Sequence, residues 1–225
     1  MTEHTTTLWG MPQSPFVQKV MIVLDELSLD HQQIPVLPTR FLSHKPLDSM
    51  QQQLGDISPC GRIPVLQIDG ITVIESSIIM MHLASRQQAN AAFYPANLAT
   101  HSQALWLERF ADYDLAQVIT RRIAFETFAK PRLSNVAPDQ KHISQIASTQ
   151  LPPLLDYLTT QLTRNSFIET DLLSAADIAI TTQLLILKQC GVDISNTYPE
   201  LDHYLTQQLE RPSIQKLTDI QSSAF

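Results

Sequence analysis

The sequence predicts two parts: an α/β domain at the N-terminus and an all-α helical bundle after it. Three observations carry this. The first third mixes strand-like and helix-like apolar spacing, with Asp69-Gly70 set between two apolar runs. From His101 onward the strand signal disappears. Leu173–Ile178 then gives a helix-start signature ahead of an almost wholly apolar stretch, as the central helix of a bundle requires. The expected domains are 1–86 and 101–225, joined by a linker over 87–100.

In order, Thr6–Gly10 reads as a short strand, broken by Met11–Pro15 with its two prolines and a serine. Phe16, Val20, Val23, Leu24 and Leu27 follow at helical spacing, and Pro15 suits the first turn, where its missing N–H costs little. A second strand is expected over Gln32–Val36, then a loop from Leu37 to Ile57 holding one short helix. Asp69-Gly70 favours the tight turn that matches strand twist, so Pro64–Ile68 and Ile71–Ile74 form a hairpin. Ser76–Ser85 is helical. Strand, helix, strand, helix, hairpin, helix is the thioredoxin-like order.

Gln87–Thr100 is polar and alanine-rich and reads as the linker. Beyond it, Trp106, Phe110 and Tyr113 fall on one helical stripe; Leu107, Ala111, Leu115 and Val118 form another. Pro131 marks a break. Leu151, Leu154, Leu155, Leu158 and Leu162 outline a further helix that Pro152 and Pro153 start or kink. Ser174 is the expected N-cap of the apolar helix, with Asp177 returning a hydrogen bond from the third position and Leu173 and Ile178 closing as a staple. Losing that capping contact costs about 0.5–2 kcal/mol. Asp193–Phe225 is a last helical region punctuated by Pro199 and Pro212.

Bulk properties narrow the function. The 225 residues are 44% hydrophobic and 16% charged, enough for a substantial core and unlike a disordered chain. The net charge of −7 disfavours nonspecific binding to nucleic acid or anionic membranes. Two cysteines, Cys60 and Cys190, make neither a disulfide framework nor a zinc pattern. A signal-peptide stretch and a membrane-spanning run are both missing from the pattern, so a cytoplasmic protein is expected.

Two segments carry chemistry. In Ser58–Leu66, Pro64 opens a strand-like run, and an X-Pro bond is where a cis peptide commonly occurs. A bend there turns the N–H and C=O of Ile63 outward, to pair with an extended ligand like an added strand. Glu75-Ser76-Ser77 sits at the next strand-to-helix junction, where free N–H groups bind carboxylates. Together they read as a clamp for an extended ligand that carries a carboxylate.

Four segments resemble the cytosolic glutathione S-transferases: Ser14-Pro15-Phe16 after the first strand, Gly61-Arg62-Ile63-Pro64-Val65-Leu66, Glu75-Ser76-Ser77 and Ser174-Ala175-Ala176-Asp177. Each is short, but their order and spacing together are specific. Ser58 stands where the family usually has Asn, and Arg62 where it usually has Lys. The stretch from the second strand to Pro64 is long, and Phe110–Lys130 is similar to no class with a settled substrate.

The resemblance implies a glutathione transferase that conjugates its co-substrate to a small apolar electrophile, without a metal, and forms a homodimer. Ser14 is implied as the catalytic hydroxyl that stabilises the thiolate; simple capping of the first helix is its alternative role. Arg62, Ile63, Pro64, Glu75 and Ser76 are implied as glutathione contacts, Ile63 and Pro64 through the backbone. Arg62 is implied to pair with the glycine carboxylate, or else is an exposed surface arginine. Trp106, Phe110, Tyr113 and Arg121 lie where the family borders its electrophile pocket, although an aromatic stripe is more often core. Cys60 is close to the clamp but not at the position of a nucleophilic cysteine, and Cys190 is expected in the core. Peroxide reduction or isomerisation, and a non-catalytic protein-binding module of the same fold, are the competing functions.

Overall fold

The computed structural model describes residues 6–39, 46–88, 93–162, 166–168 and 173–222. Parts of the expected loop (40–45), of the linker (89–92) and of the last helical region (223–225) lie outside the described residues. The chain divides into two compact units, Met1–Asn90 with Ser213–Phe225, and Ala91–Pro212.

The first unit is built on β1 (Thr7–Trp9), α1 (Pro15–Glu26), β2 (Gln32–Ile34), α2 (Ser49–Ile57), β3 (Val65–Ile68), β4 (Ile71–Ile74) and α3 (Ser76–Arg86). Its sheet runs β2-β1-β3-β4, with β1 parallel to β2 and antiparallel to β3, and β3 antiparallel to β4. Alternation sorts the side chains. Trp9 and Val65 lie opposite each other and pack with Leu54 of α2 and with Val36. Trp9 Nε1 also donates to Gln67 Oε1 at 2.8 Å. Leu8 and Leu66, paired one residue further along, are fully buried. α1 and α3 pack against each other, and Lys19 Nζ of α1 donates to Ser77 Oγ of α3 at 3.3 Å. The short helix expected between 37 and 57 is α2, closed by a capping box of Asp48 and Gln51.

Three expectations need correction, and one helix is additional to them. The polar stretch read as a linker contributes buried Phe93 and Tyr94, and its helix already starts at Leu98 under an Asn97 cap. Pro131 does not end the helix: it lies in Lys130–Ser134, which runs on directly from the π-helical turns Ile119–Ala129. The helix Gln140–Gln150 was not expected; Asp139 caps it through the N–H of His142 at 3.0 Å. The last segment belongs with the first unit, because Ser213 Oγ donates to Glu26 Oε1 at 2.5 Å and Lys216 pairs with Asp25.

The second unit is helical: α4 (Leu98–Phe110), α5 (Ala116–Val118), α6 (Lys130–Ser134), α7 (Gln140–Gln150), α8 (Pro152–Gln161), α9 (Ala175–Gln189) and α10 (Pro199–Gln208); the helix Pro212–Ser222 follows it. Wide π-helical turns, Ala111–Leu115 and Ile119–Ala129, flank α5 and carry α4 through to α6. Pro152 lies in the first turn of α8, so the prolines start it. Nearly every residue of α9 is buried, as its sequence requires. Ser174 Oγ accepts the N–H of Asp177 at 3.1 Å. The return bond differs from expectation. The Asp177 carboxylate accepts from Ser174 Oγ at 2.5 Å, from the N–H of Phe167 at 2.9 Å and from Tyr204 OH at 2.9 Å. The cap is therefore a tie across the unit. Burial pushes the Asp177 carboxyl above its ordinary range, and those hydrogen bonds pull against it.

Candidate functional site

Strand register decides where the predicted residues meet. Trp9 pairs with Val65, and Val65 with Ile74. The end of β1, the start of β3 and the end of β4 therefore share one edge of the sheet. The residues just beyond those strand ends are Gly10–Ser14, Ile63–Pro64 and Glu75–Ser76, so three predicted segments converge there. Gly10 is tightly enclosed: with φ +140°, a Cβ on it would lie 2.6 Å from Val17 Cγ2 and 3.1 Å from Ile63 Cβ. Only glycine lets the β1–α1 turn come so close to the Ile63 segment.

Ser14 occupies the N-cap position of α1. Its N–H donates to Met11 O at 2.9 Å, and its carbonyl accepts the N–H of Gln18 at 2.9 Å. Its side chain makes no capping hydrogen bond. Capping is the structural alternative to a chemical role, and that bond is not formed. Asp48, Asn97, Asp139 and Ser174 do close their helices with their own side chains. Pro15 and Phe16 follow in the first turn, with Phe16 half-buried.

The Ile63–Pro64 peptide bond is cis. Ile63 precedes β3, and no ladder or loop hydrogen bond among the described residues takes up its N–H or carbonyl. Ser58 braces the segment. It is buried, and its hydroxyl accepts from the N–H of Arg62 and donates to the carbonyl of Arg62, both at 3.0 Å. Gly61 completes the support at φ +55°, its carbonyl accepting the N–H of Thr39 at 3.0 Å. A Cβ there would fall 1.7 Å from Thr39 Oγ1. Ser58 thus supplies the bracing that its position needs, a role its small side chain and the Pro59 after it left open in the sequence.

Glu75 is the N-cap of α3 with φ +72°, a region that non-glycine residues rarely occupy. Its side chain makes no cap bond and instead pairs with Arg62, Nη1 to Oε1 at 3.2 Å, with both side chains mostly exposed. Arg62 and Glu75 therefore meet each other rather than standing apart. Ser76 is buried at the first position of α3. The N-termini of α1 and α3 reach this sheet edge with neither closed by its cap side chain. Both present the positive end of a helix there.

The second-unit candidates behave less uniformly. Phe110 is buried, its ring 4.8 Å from Tyr157 and 6.1 Å from Trp106. Trp106 is exposed and donates Nε1 to Tyr157 OH at 2.6 Å. Tyr113 is exposed beneath the Arg109 guanidinium at 3.8 Å. Arg121 is exposed and donates to Gln117 Oε1 at 3.4 Å. Leu107, Ala111 and Leu115 are the fully buried stripe. A cavity of about 330 Å³ within this unit is lined by Leu184, Leu187, Lys188, Ile194, Asp202 and Leu205 and includes none of the four. Cys60 is exposed, and burial pushes the Cys190 thiol up to about 11. Among the described residues, no helix is long and apolar enough to cross a membrane, and no group of three or more His, Cys, Asp or Glu side chains could hold a metal.

Residues 8–91 match the model of the glutathione S-transferase N-terminal domain, and residues 125–218 that of the C-terminal domain. The chain is 31% identical over 172 residues to glutathione S-transferase 3 of Zea mays, covering 76% of this chain and 72% of the relative. The chain belongs to the glutathione S-transferase family. It is 26% identical over 214 residues to glutathione S-transferase A of Pleuronectes platessa, covering 95% of this chain and 91% of that one. The crystal structure of glutathione transferase F7 from Populus trichocarpa superposes with a TM-score of 0.77 at 22% identity, covering 96% of this chain and 99% of that one. These likenesses make the chain a glutathione S-transferase-like enzyme with a thioredoxin-like first domain and a helical second one.

Proposed function

We propose that this glutathione S-transferase conjugates glutathione to small apolar electrophiles, with the Ser14 hydroxyl stabilising the thiolate. The observation that carries this reading is the uncapped Ser14 at the start of α1, on the same sheet edge as the open Ile63 backbone. The N–H and carbonyl of Ile63 hold the cysteinyl part of the ligand as a strand would. The uncapped start of α3, with Glu75 and buried Ser76, takes the γ-glutamyl carboxylate. Arg62 holds the glycine carboxylate and turns from Glu75 to do so.

The chemical task is quantitative. A free thiol with a pKa near ~8.5 is mostly protonated at neutral pH. Bringing it down by ~2 units requires about 2.7 kcal/mol in favour of the thiolate. A hydrogen bond to a charged acceptor supplies about 1.5–3 kcal/mol, and the positive end of α1 adds about 0.3–1 kcal/mol. The thiolate then attacks the electrophile held beside it, which forms the thioether and expels the leaving group. Exposed Ile71, Ile74 and Ile78 on β4 and α3 offer an apolar face for a twofold homodimer.

The test is retention on immobilised glutathione followed by turnover of a generic aromatic halide. Binding with turnover that falls in Ser14→Ala supports the reading. Absence of glutathione binding by the folded protein contradicts it and points to a protein-binding module.

A further inference from the structure

Gln18 of α1 is fully buried, yet neither its amide oxygen nor its amide nitrogen has a hydrogen-bond partner. Among the described residues it is the one side chain whose two polar atoms are both left open in this way. Helix geometry says where the amide lies. Val17 faces Gly10, and Lys19 reaches Ser77 of α3. Gln18 stands between them, and the carbonyl of Ser14, the extended N-cap residue four positions earlier, accepts the Gln18 N–H at 2.9 Å. Side chains on a helix lean toward its N-terminus, so the Gln18 amide leans toward Ser14. That backbone bond holds the two residues one helical turn apart, and a glutamine side chain directed at the helix start spans about one turn.

An apolar residue of the same size would fill this position without leaving a buried amide unsatisfied, so packing does not explain a glutamine. A ligand-dependent partner does. Accepting the proposed role of Ser14, we propose that Gln18 is a positioning residue for it. The amide nitrogen donates to Ser14 Oγ in the glutathione complex. That occupies a lone pair of the hydroxyl, turns its proton toward sulfur and polarises the O–H, because hydrogen bonds in series strengthen one another. No bond is made or broken by Gln18. It sets the direction of the one donor that stabilises the thiolate.

The test is an ultraviolet titration of the thiolate in the glutathione complex of the full chain, comparing wild type, Gln18→Met, Gln18→Glu, Ser14→Ala and the double variant Ser14→Ala with Gln18→Met. Gln18→Met raises the pKa of the bound thiol by about one pH unit, a roughly tenfold loss of thiolate well below it. Gln18→Glu raises it at least as far, since an ionised carboxylate repels the thiolate and cannot donate. The double variant titrates like Ser14→Ala alone. The free Gln18→Met protein melts no lower than wild type, because the amide it loses had no partner. A shift in Ser14→Ala with none in Gln18→Met overturns this inference and leaves the Ser14 role standing. A thiol that titrates alike in wild type and Ser14→Ala overturns both. A lower melting temperature for Gln18→Met identifies the amide as part of the fold and also overturns the inference.

Discussion

Replacing Asp177 by alanine separates a simple helix cap from the wider tie that the structure contains. The cap itself survives, because Ser174 Oγ still accepts the backbone N–H of residue 177. Four donors lose their acceptor: Ser174 Oγ, the N–H groups of Phe167 and Ile168, and Tyr204 OH. Tyr204 retains Thr181 Oγ1 at 3.0 Å. The Phe167 N–H is orphaned in a buried setting, which costs about 1–3 kcal/mol, and the lost serine bond adds about 1 kcal/mol. Relief of the buried carboxylate returns part of this, so the expected loss is about 2–4 kcal/mol. Asp177→Asn keeps an acceptor for Phe167 and should lose about 1 kcal/mol. With a urea m-value of about 2 kcal/mol/M, Asp177→Ala lowers the midpoint by about 1–2 M.

The pH dependence adds a second check. A folded-state value above the ordinary 3.8 makes the native state the tighter binder of this proton. The contribution is therefore fully present below 3.8 and lost as pH rises through the folded value. Asp177→Asn should remove that slope. The assay is urea unfolding followed by circular dichroism from acid to neutral pH. A midpoint within about 0.3 M of wild type for Asp177→Ala would refute the reasoning.

Other outcomes follow from the same geometry. Gly61→Ala forces a Cβ into Thr39 at φ +55°, so it should raise the glutathione KM strongly or prevent folding, as measured by steady-state kinetics and thermal melting. Ser58→Ala removes both hydrogen bonds to the Arg62 backbone and should destabilise by about 1–3 kcal/mol, read from the urea midpoint. Arg62→Ala breaks an exposed ion pair, so it should change stability by less than about 1 kcal/mol while weakening glutathione binding several-fold by calorimetry. Ile78→Asp places a charge on the exposed apolar face of α3 and should convert the proposed homodimer to monomer by light scattering.

The elements of the first unit were legible because each carries a local signal: Pro15 at a helix start, Asp-Gly between two apolar runs, a proline opening β3. The two segments around Ile63 and Glu75 already read together as a clamp, but that Ser14 joins them could be read only through the resemblance, since strand register is not a local property. The sequence also hid what Ser58 and Gln18 do. A serine before a proline and a glutamine inside a helix are ordinary until burial and partners are known. In the second unit, helical periodicity separated the buried Leu107 stripe from the Trp106 and Tyr113 side. It also grouped Phe110 with the exposed residues, although that ring is buried against Tyr157. Trp106 and Phe110 both lie in regular α4, before the π turns begin at Ala111, so periodicity puts them on one row and only the packing partner Tyr157 separates them. The capping residue of α9 was readable, but the reach of Asp177 to Phe167 and Tyr204 was not, because those partners come from outside the helix.

The most direct test of the account is the ionisation of glutathione bound to wild type and to Ser14→Ala, followed by thiolate absorbance across pH. Loss of a hydrogen bond worth about 1.5–3 kcal/mol predicts a rise of about 1–2 pH units in the bound thiol's pKa, with a roughly 10–100-fold fall in kcat/KM below it. Ser14→Ala protein that stays folded, binds glutathione and titrates its thiol as wild type does would contradict the assignment of Ser14 as the thiolate's donor.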